Sequence, residues 1–142
     1  MAYQHYCKAN EIVWDRPNLK NERFPVKVPT EERINMVISS ATPRYSTIFH
    51  LSKMGLRPDE ISKVTLRDVN LEGREVIVRT SKLGLERTLR LKREVVDLLK
   101  DYLCLNGISC LDERLFPRVN TIRNAWHKYR NRARARARNT LN

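Results

Sequence analysis

The spacing of apolar residues along the chain predicts that most of it is helical. Two apolar stripes recur at helical intervals within residues 30–53; the second begins at Pro43, and Gly55 is placed to end that helix. Pro58 suits the first turn of a third, short helix, where its missing N–H has no partner to lose. A further stripe predicts a helix over about 92–105.

Two stretches are predicted to be strands instead. A turn at Glu72-Gly73 leads into a strand over about 75–80, and residues 86–91 alternate apolar and polar side chains. The segment between them contains Gly84, which predicts a hairpin with Lys82 near its tip. Together with the helices, this pattern predicts an α+β fold, mainly helical with a small antiparallel sheet.

The C-terminal segment combines helical spacing with an alternating run of arginines. The tripeptide "LFP" at 115–117 predicts a short buried segment, and apolar residues from Ile122 to Tyr129 recur at helical intervals. In "RNRARARARN", alternation would put every arginine on one face of a strand, but alanine and arginine both favour helix. We therefore expect a helix whose arginines spread around it and repel one another unless phosphates lie alongside.

The positive charge is concentrated near the C-terminus. The net charge is +12; residues 1–113 are almost balanced, whereas residues 114–142 hold nine basic side chains and no acidic one. A focused positive field attracts polyanions, of which nucleic acid is the commonest in a cell. A basic tail that only aids solubility is the alternative interpretation.

Other classes of protein find less support in the sequence. No signal sequence or membrane-spanning run is visible, so we expect a cytoplasmic protein without membrane contact. Cys7, Cys104 and Cys110 lack C-x-x-C spacing, which argues against a disulfide framework or zinc site. A metal site from Cys104, Cys110 and His127 is less favoured than buried thiols. We predict no metal and no cofactor.

The motifs, taken in order, resemble a known family. "GLRPDEISKVTLRDVNL", a strand, "TSKLGLERTLRL", a helix and "LFP" together resemble the catalytic domain of the tyrosine recombinase (phage integrase) family, particularly its archaeal integrases of viruses and plasmids. The resemblance runs from about Trp14 to the C-terminus. It implies an enzyme of DNA recombination and integration that breaks and rejoins DNA through a phosphotyrosine link. The implied partners are double-stranded DNA and other recombinase protomers.

The resemblance implies roles for three residues. Arg57 matches the first catalytic arginine, Glu60 matches the acid that supports it, and Lys82 matches the hairpin lysine that donates a proton to the leaving 5′ oxygen. A planar guanidinium offers paired donors to the charge that develops on phosphate oxygens, which agrees with the first role. Because Glu60 follows Arg57 by about one helical turn, we expect an ion pair that orients the guanidinium.

Other parts of the family pattern have no match in these residues. The H-x-L-R box, a later His or Trp and the nucleophilic tyrosine are not found, and "HKYR" at 127–130 follows "LFP" too closely and lacks the leucine. Strand cleavage by this chain alone is therefore not expected. The predicted organisation is a remnant of the core-binding helix at 1–14, a linker at 15–29 and a partial catalytic domain at 30–142.

Two other functions stay open. One is a regulatory DNA-binding module without catalysis; the other is a generic basic nucleic-acid binder in which the last helix provides all the affinity. The candidate DNA contacts are basic residues of the hairpin and the last helix, which would position the chain on phosphates without reading sequence. They are Lys82, Arg87, Lys128, Arg130, Arg132, Arg134 and Arg136.

Overall fold

The computed structural model describes residues 2–11, 13, 25, 27–80 and 84–140. In these ranges the chain forms six α-helices and three short strands. The helices are α1 (Ala2–Ala9), α2 (Glu31–Ser39), α3 (Pro43–Lys53), α4 (Pro58–Ile61), α5 (Arg93–Asn106) and α6 (Val119–Thr140). The strands are β1 (Val69–Asn70), β2 (Glu75–Arg79) and β3 (Glu86–Arg90), and a 3₁₀ turn (Leu66–Asp68) leads into β1. The mainly helical α+β prediction is confirmed. Most of the predicted 15–29 linker lies outside the described residues.

The predicted helix boundaries hold closely, and local sequence explains them. Glu31 begins α2, where its negative charge is favourable against the positive helix end. Thr30 occupies the N-cap position, but its side chain makes no capping hydrogen bond. Pro43 begins α3, and Gly55 follows that helix with φ +100°, a backbone angle that residues other than glycine rarely adopt. This turn sends the chain directly into the residue before α4.

The three strands form an antiparallel sheet in the order β1-β2-β3. Val76 lies opposite Leu89 and Val78 opposite Arg87, with both valines buried on the inner face. The predicted hairpin of β2 and β3 is confirmed. β1 was not predicted, because a strand of two residues is too short to show an alternating pattern.

The core joins α6 to the rest of the domain. Ile48 and Phe49 of α3 are almost fully buried, and the ring of Phe49 packs edge-on against Trp126 at 5.0 Å and Tyr129 at 5.9 Å between centroids. The buried α6 residues lie at helical spacing: Ile122, Ala125, Tyr129 and Ala133. Because α6 supplies part of the core, it is not a separate basic tail.

The "LFP" segment is buried, as the sequence predicts. The backbone N–H of Leu115 donates to the Val64 carbonyl at 3.0 Å, and the Tyr102 hydroxyl of α5 donates to the Leu115 carbonyl at 2.6 Å. The ring of Phe116 stacks on Tyr102 at 5.5 Å. These contacts connect α5, the loop that follows α4 and the entrance to α6.

Candidate functional site

Arg57 stands at a corner between α3 and α4. Leu56 is buried and anchors the backbone just before it, and Pro58 begins α4 just after it. Arg57 itself is exposed, and its guanidinium has no ion pair among the residues that the structure describes. The backbone is therefore held on both sides while the side chain projects into solvent.

Glu60 supports this corner differently from the sequence prediction. Only 4% of Glu60 is exposed, and its Oε2 accepts the backbone N–H of Arg57 at 2.8 Å rather than the guanidinium. Glu60 is the third residue of α4, a position from which a glutamate side chain readily reaches back to the N-cap amide. The predicted Arg57–Glu60 ion pair is thus wrong, and the carboxylate positions the Arg57 backbone instead.

Arg87 supplies the positive partner of Glu60. Its Nη2 lies 3.0 Å from Glu60 Oε2 and donates to the Gly55 carbonyl at 3.2 Å. Because Arg87 belongs to β3, these bonds connect the sheet to the loop before α4. About half of the Arg87 side chain (49%) stays exposed, so its suggested DNA contact stays a prediction.

Lys82 belongs to residues 81–83 of the hairpin, which lie outside the described ranges. The hairpin is described up to Thr80 and again from Gly84. Thr80 closes it with two hydrogen bonds to the Leu85 carbonyl, one from its backbone N–H at 3.1 Å and one from its hydroxyl at 2.9 Å. The role suggested for Lys82 therefore stays a prediction.

The candidate arginines of α6 do not converge on one face. Arg130 and Arg134 line a groove against α2, whereas the Arg132 guanidinium lies 5.5 Å from the centre of the Tyr129 ring. Lys128 and Arg136 are exposed and do not line that groove. Their assignment as DNA contacts stays a prediction for each residue separately.

Two basic residues near the Arg57 corner were not predicted from the sequence. Arg123 and His127 of α6 line a hollow of about 430 Å³ together with Leu56 and Pro58, the neighbours of Arg57. Lys53 lines the same hollow. The spacing of four between Arg123 and His127 places them on one helix face, but only the packing of α4 against α6 brings that face to the corner.

No metal centre is formed within the described ranges, where no group of three potential ligands comes together. Cys104 and Cys110 are exposed free thiols, so the predicted burial of these two is wrong; the free thiol of Cys7 is buried. Cys104 lies near the end of α5 and Cys110 in the loop after it, which leaves both outside the core.

None of the helices described has the length and hydropathy that crossing a membrane requires.

Comparison with known proteins agrees with this geometry. The model of the phage integrase family matches residues 30–140. The chain belongs to the phage integrase family. One relative of this integrase-family chain is tyrosine recombinase XerA from Pyrococcus horikoshii, 27% identical over 107 residues, which cover 72% of the chain and 38% of the relative.

Solved structures share the fold of this integrase-family chain. The crystal structure of XerA recombinase matches with a TM-score of 0.67 at 23% identity, covering 93% of this chain and 52% of the other. The integrase from mycobacterium phage Brujita matches with a TM-score of 0.60 at 19% identity, covering 93% and 48%. The chain thus spans about half or less of the length of the relatives it matches.

Proposed function

We propose that this chain binds double-stranded DNA as part of a tyrosine recombinase catalytic domain, with Arg57 as the ligand of a backbone phosphate. The observation that carries the proposal is the exposed Arg57 guanidinium, without an ion pair in the described residues, on a backbone fixed by buried Glu60. A guanidinium held in this way keeps its paired donors available for phosphate oxygens. Family membership over residues 30–140 supports the same role.

In this proposal, three residues have different roles in the reaction at the phosphate. Arg57 would stabilise the negative charge that develops on the non-bridging oxygens, and Glu60 would hold the Arg57 backbone. Lys82, on the hairpin that Arg87 ties to the corner, would donate a proton to the leaving 5′ oxygen. A nucleophilic tyrosine and a second arginine would have to come from residues outside this sequence.

The proposed domain organisation follows from the same reasoning. Residues 30–142 would be part of a catalytic domain, preceded by a linker at 15–29 and by the last helix of a DNA-clamping domain at 1–14. The family match over residues 30–140 and the coverage of 38% of the XerA relative support the assignment of residues 30–142 to part of a longer recombinase. An origin in an archaeal virus or plasmid, action in the cytoplasm and assembly with other recombinase protomers belong to this proposal too.

Arg123 and His127 would extend the DNA surface beyond Arg57. They line the hollow beside Pro58, so basic groups border the corner on the α6 side. Arg123 and His127 would then contact the phosphates next to the one bound by Arg57. Such contacts would position the duplex without reading its sequence.

The test is a fluorescence-anisotropy titration of duplex DNA with the Arg57→Ala variant over a range of salt concentrations. One charge-assisted hydrogen bond is worth about 1.5–3 kcal/mol, so we expect at least about a tenfold loss of affinity. The slope of log K against log salt should become shallower by about 0.9, because the variant neutralises one phosphate fewer.

Arg67→Ala is the matched control, because it removes the same charge from an arginine that is paired with Asp112 at 3.1 Å. It should leave the affinity nearly unchanged. Equal effects of the two variants would mean that net charge alone drives binding and would refute the phosphate site. Binding that survives Arg57→Ala but prefers one DNA sequence would favour the regulatory module.

A further inference from the structure

A groove on the far half of α6 has an apolar floor that nothing in the described structure covers. It lies between residues 27–29, α2 and α6, and has a volume of about 660 Å³. We call it the α2–α6 groove. Its apolar lining residues include Ile34, Val37, Trp126, Ala133 and Ala137. Val28 is 81% exposed and Met36 45%, so the apolar surface reaches the rim.

The rim of the α2–α6 groove is positively charged. Five of its lining residues are basic and none is acidic. The basic residues are Lys27, Arg33, Arg130, Arg134 and Arg138. A concave apolar surface edged by a single sign of charge suits a ligand that is apolar on one side and oppositely charged at its flanks.

Three of these arginines lie at intervals of four residues along α6. The spacing of Arg130, Arg134 and Arg138 puts three like charges on one stripe, which an adjacent anionic partner relieves.

The dimensions of the groove suit a helix. Its α6 wall runs from Trp126 to Arg138, and the twelve helical steps between these residues rise about 18 Å. An extended wall of this length accommodates roughly three turns of a partner helix. Apolar anchors at intervals of three and four residues would then meet the floor, as in other complexes where an amphipathic helix fills a groove.

We propose that the α2–α6 groove binds an acidic amphipathic helix of another protein. Duplex DNA would satisfy the arginines but leave the apolar floor uncovered, because phosphate and sugar offer it little apolar surface. A second copy of this chain would bring a net charge of +12 against a basic rim. An acidic helix satisfies both the floor and the rim. Arg57 does not line this groove, but Pro29, Ile34 and Trp126 line both the groove and the hollow beside the Arg57 corner, so the two surfaces adjoin.

The experiment uses three fluorescein-labelled designed helical peptides of the same length and the full chain. The first has leucines on one face and glutamates on both flanks, the second replaces the glutamates with glutamines, and the third replaces the leucines with serines. We expect the first to bind at least about tenfold more tightly than either of the others, because the groove demands both features.

Two pairs of variants test whether the acidic peptide binds in the α2–α6 groove. Ala137→Trp fills the groove, while Ala135→Trp adds the same side chain to an exposed position of α6 that does not line it. Arg134→Glu reverses a rim charge, while Arg136→Glu reverses a charge outside the groove. The first member of each pair should weaken the acidic peptide at least about tenfold and the second should not. Thermal melts of all four confirm that they fold.

Several results would overturn the proposal. Equal binding of the glutamate and glutamine peptides would leave the groove a general apolar surface. A dimer in sedimentation that Ala137→Trp abolishes would make a second copy the occupant. Loss of duplex DNA affinity in Ala137→Trp and Arg134→Glu, with no peptide binding by the unaltered chain, would make the groove part of the DNA surface. If none of the three peptides bound, the proposed docking site would be refuted.

Discussion

The Arg57 corner and the C-terminal helix α6 both present arginines, but the two regions hold them differently. At the corner, one buried carboxylate accepts the Arg57 N–H at 2.8 Å and is paired with Arg87 at 3.0 Å, so the exposed arginine stands on a defined support. Along α6, seven basic side chains follow one another with no acidic residue between them. The first region fixes one charge in place, whereas the second spreads many charges around a helix.

The difference teaches where specificity in this protein can come from. A charge with a fixed backbone can meet a single phosphate in one geometry, which catalysis needs. The charges of α6 are distributed over at least two sides of the helix, with Arg134 at the α2–α6 groove and Arg132 over the Tyr129 ring. Such a distribution attracts partners over a wide surface but selects no single orientation.

The largest expected effect tests whether α6 belongs to the domain. Tyr129→Ala should lower the free energy of unfolding by about 3–5 kcal/mol, since an aromatic core residue is removed. Tyr129 is 5% exposed, packs on Phe49 and Tyr45, and its hydroxyl lies 3.3 Å from the Thr42 hydroxyl. Urea denaturation followed by circular dichroism measures the change.

Arg136→Ala, on an exposed position of the same helix, serves as the control and should change stability by no more than about 0.5 kcal/mol. A small effect of Tyr129→Ala would mean that α6 is a detachable basic tail. That result would favour the generic nucleic-acid binder, in which the last helix provides the affinity by itself. The Arg57 corner and α6 would then not be parts of one folded domain.

The sequence predicts the regular elements well because their signals are local. The apolar stripes of α2, α3 and α5, the positive-φ glycine at 55 and the buried "LFP" segment are all confirmed. The support of the corner could not be predicted, because Arg87 is 27 residues from Glu60 and only folding brings them together. The same holds for Arg123 and His127, whose helix face reaches the corner only through the packing of α4 against α6.

The next effect concerns the carboxylate beneath the corner. Glu60→Ala removes the acceptor of the Arg57 N–H and the partner of Arg87, and should destabilise the fold by roughly 2 kcal/mol. DNA affinity should fall as well, because Arg57 loses its fixed backbone. Thermal denaturation and anisotropy titration measure the two effects. Glu60→Gln, which keeps an acceptor oxygen, should restore much of the stability.

If Glu60→Ala weakened stability but left DNA affinity equal to that of the unaltered chain, the corner would be a structural joint and not a support for phosphate binding. If neither property changed, the hydrogen bonds of Glu60 would contribute nothing to stability or DNA binding. Arg57 would then be held no more firmly than the arginines of α6.

A smaller effect separates the two roles suggested for Arg87. Arg87→Met keeps an unbranched side chain but removes the donors to Glu60 and Gly55, and should cost about 1 kcal/mol, since half of the arginine is exposed. Amide hydrogen exchange at Arg57 should become faster, because its acceptor loses a fixed position. Unchanged exchange together with weaker DNA binding would identify Arg87 as a DNA contact alone.

The smallest effect is a pH dependence from His50, on α3, which leads to the corner and packs against α6. Burial lowers the pKa of His50 below its ordinary value of 6.5, and Lys53 and Lys92 lower it further against the opposing effect of Glu94. Because the unfolded chain then binds more protons near pH 6.5, stability should fall as the pH falls through 6.5 and level off below the folded pKa. His50→Gln should remove this part of the slope in urea titrations at several pH values, whereas an identical slope in the variant would show that other groups govern acid sensitivity. A confirmed slope would tie part of the stability of the fold to the burial of this imidazole on α3.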